Sequence, residues 1–229
     1  MKCIPVLILI IFILSCQTLP LINPSGSGIK ENTLTCPFPF LEGKYRLIHS
    51  IENRMFDETQ SVIIGVTLVD SSTRNVSCAI ITAEGMVLLE AESCKETLKI
   101  NRALPPFDSE NFAKNIIDDI KLIFLAPEGK LQEKGTLANG ATACRYREEN
   151  GDWVDVINGR VEGTAVKRYS PDGILKRHIK FNKKSGNIYQ NIELQAHEKF
   201  NYSLLMNLIE VQPLKRKAMQ KEPSRETKK

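Results

Sequence analysis

The sequence is poor in the residues that most often carry chemistry. Its 229 residues include three histidines, one tryptophan and only 7% aromatics. His49, His178 and His197 are far apart, without an H-x-x-x-H or comparable interval, so no metal-ligand pattern is present. His178 sits among Lys176, Arg177 and Lys180, an unfavourable setting for a divalent cation. G-x-S-x-G, P-loop and G-x-G-x-x-G motifs are missing, and nothing points to a cofactor. Also missing is an apolar run of the ~20 residues that a membrane-spanning helix needs. The composition, 42% hydrophobic and 25% charged with 13 glycines and 11 prolines, excludes collagen-like, low-complexity and wholly disordered chains. The formal charge of +4 is uneven: residues 213–229 hold seven Lys/Arg and two Glu, and residues 17–212 are slightly acidic. A nucleic-acid partner is therefore not expected.

What is present begins with an address. Met1-Lys2 precedes the apolar stretch from Ile4 to Leu14, the layout of a secretory signal. Ile13-Leu14-Ser15-Cys16 resembles the bacterial lipobox, an apolar pair and a small residue before an obligatory cysteine. The resemblance implies a signal peptide over residues 1–15, cleavage before Cys16, and acylation of the thiol and of the new amino terminus. Three acyl chains hold a protein on a membrane stably, whereas one does not. The expected location is the cell envelope, on the periplasmic or outer face of a bacterial membrane. Gln17 in place of Asp favours an outer membrane by the same analogy. Residues 16–35, with Pro20, Pro24, Ser25, Gly26, Ser27 and Gly28, read as a flexible tether, and residues 214–229 as a disordered basic tail. The tail reads as a solvated end, with contact to anionic lipid headgroups as the alternative.

Residues 36–213 form the expected domain. Apolar, β-branched stretches at 61–69, 76–82, 86–92, 153–157, 161–169, 174–181 and 202–211 are separated by turn clusters such as Asn150-Gly151-Asp152 and Ser170-Pro171-Asp172-Gly173. Ile188, Gln190, Ile192, Leu194 and Ala196 alternate with polar neighbours, the period of a strand with one buried face. Phe112, Ile116, Ile117, Ile120, Ile123 and Phe124 recur at helical spacing, with Asp108 as the expected cap and Pro127 and Gly129 beyond the end. A second, weaker helix is expected over 42–55, and 129–145 reads as a loop. The economical topology is an antiparallel meander carrying at least one amphipathic helix, an α+β fold.

The order of these elements, the segment Asp119-Ile120-Lys121-Leu122-Ile123-Phe124-Leu125-Ala126-Pro127 and the closing pair of strands around Ile192-Glu193-Leu194-Gln195 and Tyr202-Ser203-Leu204 resemble the lipoprotein-localisation-factor superfamily, in particular its uncharacterised lipoprotein relatives. The resemblance implies a curved antiparallel sheet, an incomplete β-barrel, with the helix as lid over a cavity for acyl chains. Candidate cavity residues are Ile64, Val66, Leu68, Val87, Leu89, Phe112, Ile116, Ile120, Ile192 and Leu194. Non-enzymatic binding of a lipid or acyl chain, or of another envelope protein, is the function expected. The alternative is a structural or assembly module without a cavity, tethered by the same lipid. A hydrolase would need an isolated site at His197, beside Glu193 and Gln195, or at Asp152 and Asp155 read as a carboxylate pair on one face of a strand.

Cys3 belongs to the leader and Cys16 to the anchor, leaving Cys36, Cys78, Cys94 and Cys144 as disulfide candidates with three possible pairings. If Glu84-Gly85 form a hairpin turn, Cys78 faces Ala91. Cys94 then lies ~10 Å away along the strand, beyond the ~7 Å a disulfide spans. A more distant partner is expected for Cys78 or Cys94, with Cys94–Cys144 preferred; free thiols are the outcome in a cell without an oxidising envelope.

Overall fold

The computed structural model describes residues 19–24, 35–55, 58–94, 97–161, 163–198 and 201–214. Cys16 and residues 215–229 lie outside them. Among the described residues are thirteen strands and one helix: β1 Asn23–Pro24, β2 Lys44–Met55, β3 Glu58–Asp70, β4 Asn75–Thr82, β5 Val87–Cys94, β6 Thr97–Ala103, α1 Glu110–Phe124, β7 Lys130–Thr136, β8 Thr142–Arg147, β9 Trp153–Gly159, β10 Gly163–Tyr169, β11 Leu175–Ser185, β12 Ile188–Ala196 and β13 Tyr202–Pro213. The strands make one antiparallel sheet in the order β1-β7-β8-β9-β10-β11-β12-β13-β2-β3-β4-β5-β6. Two meanders, β2–β6 and β7–β13, are joined where β13 pairs with β2, Met206 opposite Ile51.

This order forces the helix across the sheet. β6 is one edge, β7 is covered on the other only by the two-residue β1, and α1 is the connection between them. A flat sheet of twelve strands would be ~50 Å wide at 4.8 Å per strand, whereas a 15-residue helix is ~22 Å long. Yet α1 packs on β4, β5 and β6, and its Asp119 also reaches Arg177 on β11 and Tyr202 on β13. The sheet therefore curls around the helix without closing into a barrel. No described helix is long and apolar enough to cross a membrane.

Three sequence expectations are corrected. Residues 44–55 are strand, not helix: Leu47 and His49 are buried and Tyr45 and Ile51 pack beside them, an alternation masked by the adjacent Leu47-Ile48 and by Ile51 three residues on. Residues 130–136 and 142–147 are strands rather than loop. β7 exposes its first four residues, so an edge strand leaves no apolar alternation to read. The helix starts one residue later than expected, with Ser109 at the N-cap and no side-chain capping bond. β6, the opposite edge, is an element the sequence did not reveal.

The expected tether is docked in part. Ile22 is buried against Leu137, Ala141, Ala143, Ile157 and Ala165 on the outer face of the sheet, away from the helix. Asn23 and Pro24 pair with Thr136 and Gly135 of β7. A Cβ on Gly135 would stand 2.0 Å from the carbonyl oxygen of Asn23, so only glycine admits this close approach. Arg145, 2% exposed, bonds both carboxylate oxygens of Asp155 at 2.7 Å and donates from Nη2 to the Pro20 carbonyl at 2.8 Å.

The disulfide joins Cys36 to Cys144, with Cα atoms 5.7 Å apart. The hairpin register places Cys78 opposite Ala91 as expected, but neither Cys78 nor Cys94 is bonded to another cysteine. Cys94 follows the inward-facing Ser93 and so points outward from the far arm of the sheet. Cys78 is buried under the helix, where burial pushes its thiol up to about 11. Cys144 instead meets the chain that runs from residue 35 towards β2.

Candidate functional site

The concave face is a continuous apolar surface. Leu47 of β2, Val69 of β3, Val76 and Ile80 of β4, Leu89 of β5, Ile179 of β11, Leu194 of β12 and Met206 of β13 are all buried there. Each strand contributes alternate residues because successive side chains point to opposite faces. The helix supplies Ala113, Ile117, Ile120, Ile123 and Phe124 from its buried side. The segment before β2 closes the far end: Phe40 and Leu41 are buried, and the Leu41 N–H bonds the Phe124 carbonyl at 3.0 Å.

The layers meet closely where Phe124 faces Leu47 and Ile192. The apolar void among Leu41, Leu47, Phe124, Phe181 and Ile192 is ≈ 10 Å³, room for about one water. The larger hollow, ≈ 410 Å³, lies at the C-terminal end of α1 and is lined by charged side chains. Those charges are largely committed: Arg74 pairs with Glu128 and bonds the Ala126 carbonyl, and Arg168 lies 3.3 Å from Glu148. It offers nothing to an acyl chain.

Of the residues expected to line a cavity, Leu89, Ile120, Ile192 and Leu194 are in the core beneath the helix, and Ile116 packs against it. Phe112 is 42% exposed and rests edge-on against Phe107 at the first turn of the helix. Ile64, Val66 and Leu68 occupy the outer face, because the buried residues of β3 are Gly65, Thr67 and Val69. The sequence stretch is apolar on both faces, so composition alone assigned the wrong one. Val87, half-buried and opposite Ile81 where the β4–β5 register shifts, is outside the core.

Besides the small hydroxyl residues Thr67 and Ser93, the interface buries an ion pair and a histidine that sequence reasoning missed. Asp119 projects from the buried side of α1 and accepts from Arg177 Nε at 2.8 Å and from Tyr202 Oη at 3.3 Å. Arg177 also donates to the Lys176 carbonyl at 3.0 Å and lies 3.2 Å from Glu198. Burial pushes the Asp119 carboxyl above the ordinary carboxylate range, and the Arg177 charge opposes that shift. The only sequence signal was that Asp119 interrupts the inner stripe between Ile116 and Ile120. The second group is His49, 1% exposed, whose ring lies 5.9 Å from that of Phe124. Neither of its ring nitrogens has a partner among the described residues, and burial lowers its pKa to about 4.

The hydrolase arrangements do not assemble. Asp152 precedes β9 and bonds Lys176, while Asp155, three residues on, faces the outer side and bonds Arg145. His197 is half-buried, with burial and the nearby Arg177 charge lowering its pKa.

No protein-family model and no curated protein matches the sequence. Two solved structures are similar in fold. A LolA-superfamily protein from Nitrosomonas europaea superposes with a TM-score of 0.50 over 78% of this chain and 89% of its own, at 9% identity. A domain assigned to outer membrane lipoprotein sorting, from Vibrio parahaemolyticus, gives 0.43 over 75% and 85%, at 11% identity. At these identities the likeness is one of architecture: the chain has the LolA-like fold, an open curved antiparallel sheet with a helix lying across its concave face.

Proposed function

We propose that the protein is a lipid-anchored component of the bacterial envelope that binds an acyl chain between its concave sheet and α1, without catalysis. The anchor is Cys16, acylated after removal of residues 1–15, and an outer membrane is the favoured residence. The observation that carries the reading is the continuous apolar face beneath a single removable helix, held there by packing and by one buried ion pair. Because α1 buries its apolar side against that face, ligand and helix compete for the same surface. Binding on this reading means that α1 lifts, and Leu89, Ile192 and Leu194 form the floor.

The small void also supports a second reading, an assembly module whose sheet and helix form an ordinary core. Native mass spectrometry of the full chain, incubated with fatty acids of eight and sixteen carbons, separates the two. A retained sixteen-carbon acid, or a co-purifying lipid, supports the binder. A clean protein mass under all conditions overturns it and leaves the module.

A further inference from the structure

Residues 19–24 constrain how the domain could stand on a membrane. The strap is held at three points: the Pro20 carbonyl by Arg145, Ile22 by its cluster, and Asn23–Pro24 by β7. Its first described residue, Leu19, touches the β10–β11 turn, where a Cβ on Gly173 would lie 3.2 Å from the Leu19 Cβ. Three peptide units separate Leu19 from Cys16, so their Cα atoms are within ~11 Å whatever the conformation between them. A lipid on Cys16 would therefore be confined to within that distance of Leu19 and hence to the neighbourhood of the turn. The turn shows a large apolar side chain to solvent: Ile174, 55% exposed.

From this geometry we infer that the turn of residues 170–174 is the membrane-facing surface, with Ile174 seated among lipid headgroups and upper acyl segments. The inference rests on acylation of Cys16. The contact is apolar, since the exposed acidic residue of the turn, Asp172, offers no attraction to anionic lipid. The opposite end of β10 faces away from the bilayer. There Val161, 89% exposed in the β9–β10 turn, is the distant reference point, ~23 Å from Ile174 along a seven-residue strand.

The test uses full-length protein labelled with palmitate in cells and reconstituted into phosphatidylcholine vesicles with brominated acyl chains. In a Trp153→Phe background, Ile174→Trp and Val161→Trp each give a single fluorophore. Quenching of Ile174→Trp by at least half, with Val161→Trp unquenched, is expected. A twenty-residue Gly/Ser insertion between Thr18 and Leu19 should then reduce the Ile174→Trp quenching severalfold while palmitate incorporation is unchanged. Labelled protein with equal quenching at both sites, or with quenching indifferent to the insertion, overturns the membrane orientation and leaves the anchor intact. Absence of palmitate that depends on Cys16 overturns both.

Discussion

Replacing Arg177 by Met strips Asp119 of its hydrogen-bonded charge partner in a site that is 8% exposed, leaving the Tyr202 hydroxyl and the weaker pull of Arg168. Removing one member of a buried ion pair costs ~3–5 kcal/mol, because the other charge stays desolvated. Asp119→Leu should fall at the lower end of that range, since Arg177 keeps Glu198, itself half in solvent, and the Lys176 carbonyl. Arg177→Met should fall at the upper end at neutral pH. Acid should relieve it: burial already raises the Asp119 carboxyl, and without Arg177 the neutral acid is favoured further. A group whose folded pKa is raised contributes stability below its unfolded pKa and loses it as pH rises through the folded one. Arg177→Met should therefore lose less, relative to wild type, at pH 5 than at pH 8. Since desolvation offsets much of the attraction in a buried ion pair, an apolar pair of similar volume should do as well. The double variant Asp119→Leu/Arg177→Met should return to within about 1 kcal/mol of wild type or exceed it. Urea unfolding followed by circular dichroism, with unchanged slope, reads all four proteins. A double variant that loses the sum of the single losses would refute the reasoning and make the pair a net source of stability.

Two further outcomes are expected. Cys36→Ala/Cys144→Ala should lower stability by about 4–5 kcal/mol, because the bond closes a loop of 108 residues in the unfolded chain; a urea midpoint equal to that of wild type would contradict it. His49, with its pKa lowered to about 4 by burial, contributes stability above the unfolded value of 6.5 that is lost as pH falls towards 4. The loss is about 2 kcal/mol at pH 5, and His49→Phe should remove that portion of the acid slope; an unchanged slope would place the titration elsewhere.

The sequence displayed the strands that bury one face and the helix that buries one stripe. Ile188–Ala196 and Glu110–Phe124 are such elements, and their periodicity survives because solvent and core demand different residues on the two sides. Both edges were illegible for the same reason. β7 exposes its first four residues, and β6 alternates only from Thr97 to Asn101 before its pairing shifts, with Leu98 and Ile100 partly buried, so neither carries a long signal. The cavity candidates failed where a strand is apolar throughout: nothing local distinguishes Ile64, Val66 and Leu68 from Ile63 and Val69, and only pairing with β2 and β4 fixes which set faces the helix. The polar groups of the interface were hidden because their partners are remote. Arg177 is 58 residues from Asp119, and Tyr202 is 83. The tether misled through composition, as Pro20 and Pro24 look flexible until Arg145 accounts for the Pro20 carbonyl and Gly135 for the space beside Asn23.

A filled interface and an acyl-binding role are compatible if helix and ligand are worth similar amounts to the sheet. Ile117, Ile120, Leu122, Ile123 and Phe124 are the large residues α1 buries, and at about 1.5–3 kcal/mol each they represent roughly 7–15 kcal/mol. The ion pair adds little, since its desolvation opposes its attraction. A sixteen-carbon chain brings ~12 kcal/mol at 0.8 per methylene, and an eight-carbon chain ~6. The long chain can replace the helix on the concave face at near-zero cost, whereas the short one leaves the helix the stronger occupant. The closed, dry form is then what the empty protein should adopt. On this reading, an acyl chain long enough to match those five side chains is the ligand that could displace α1.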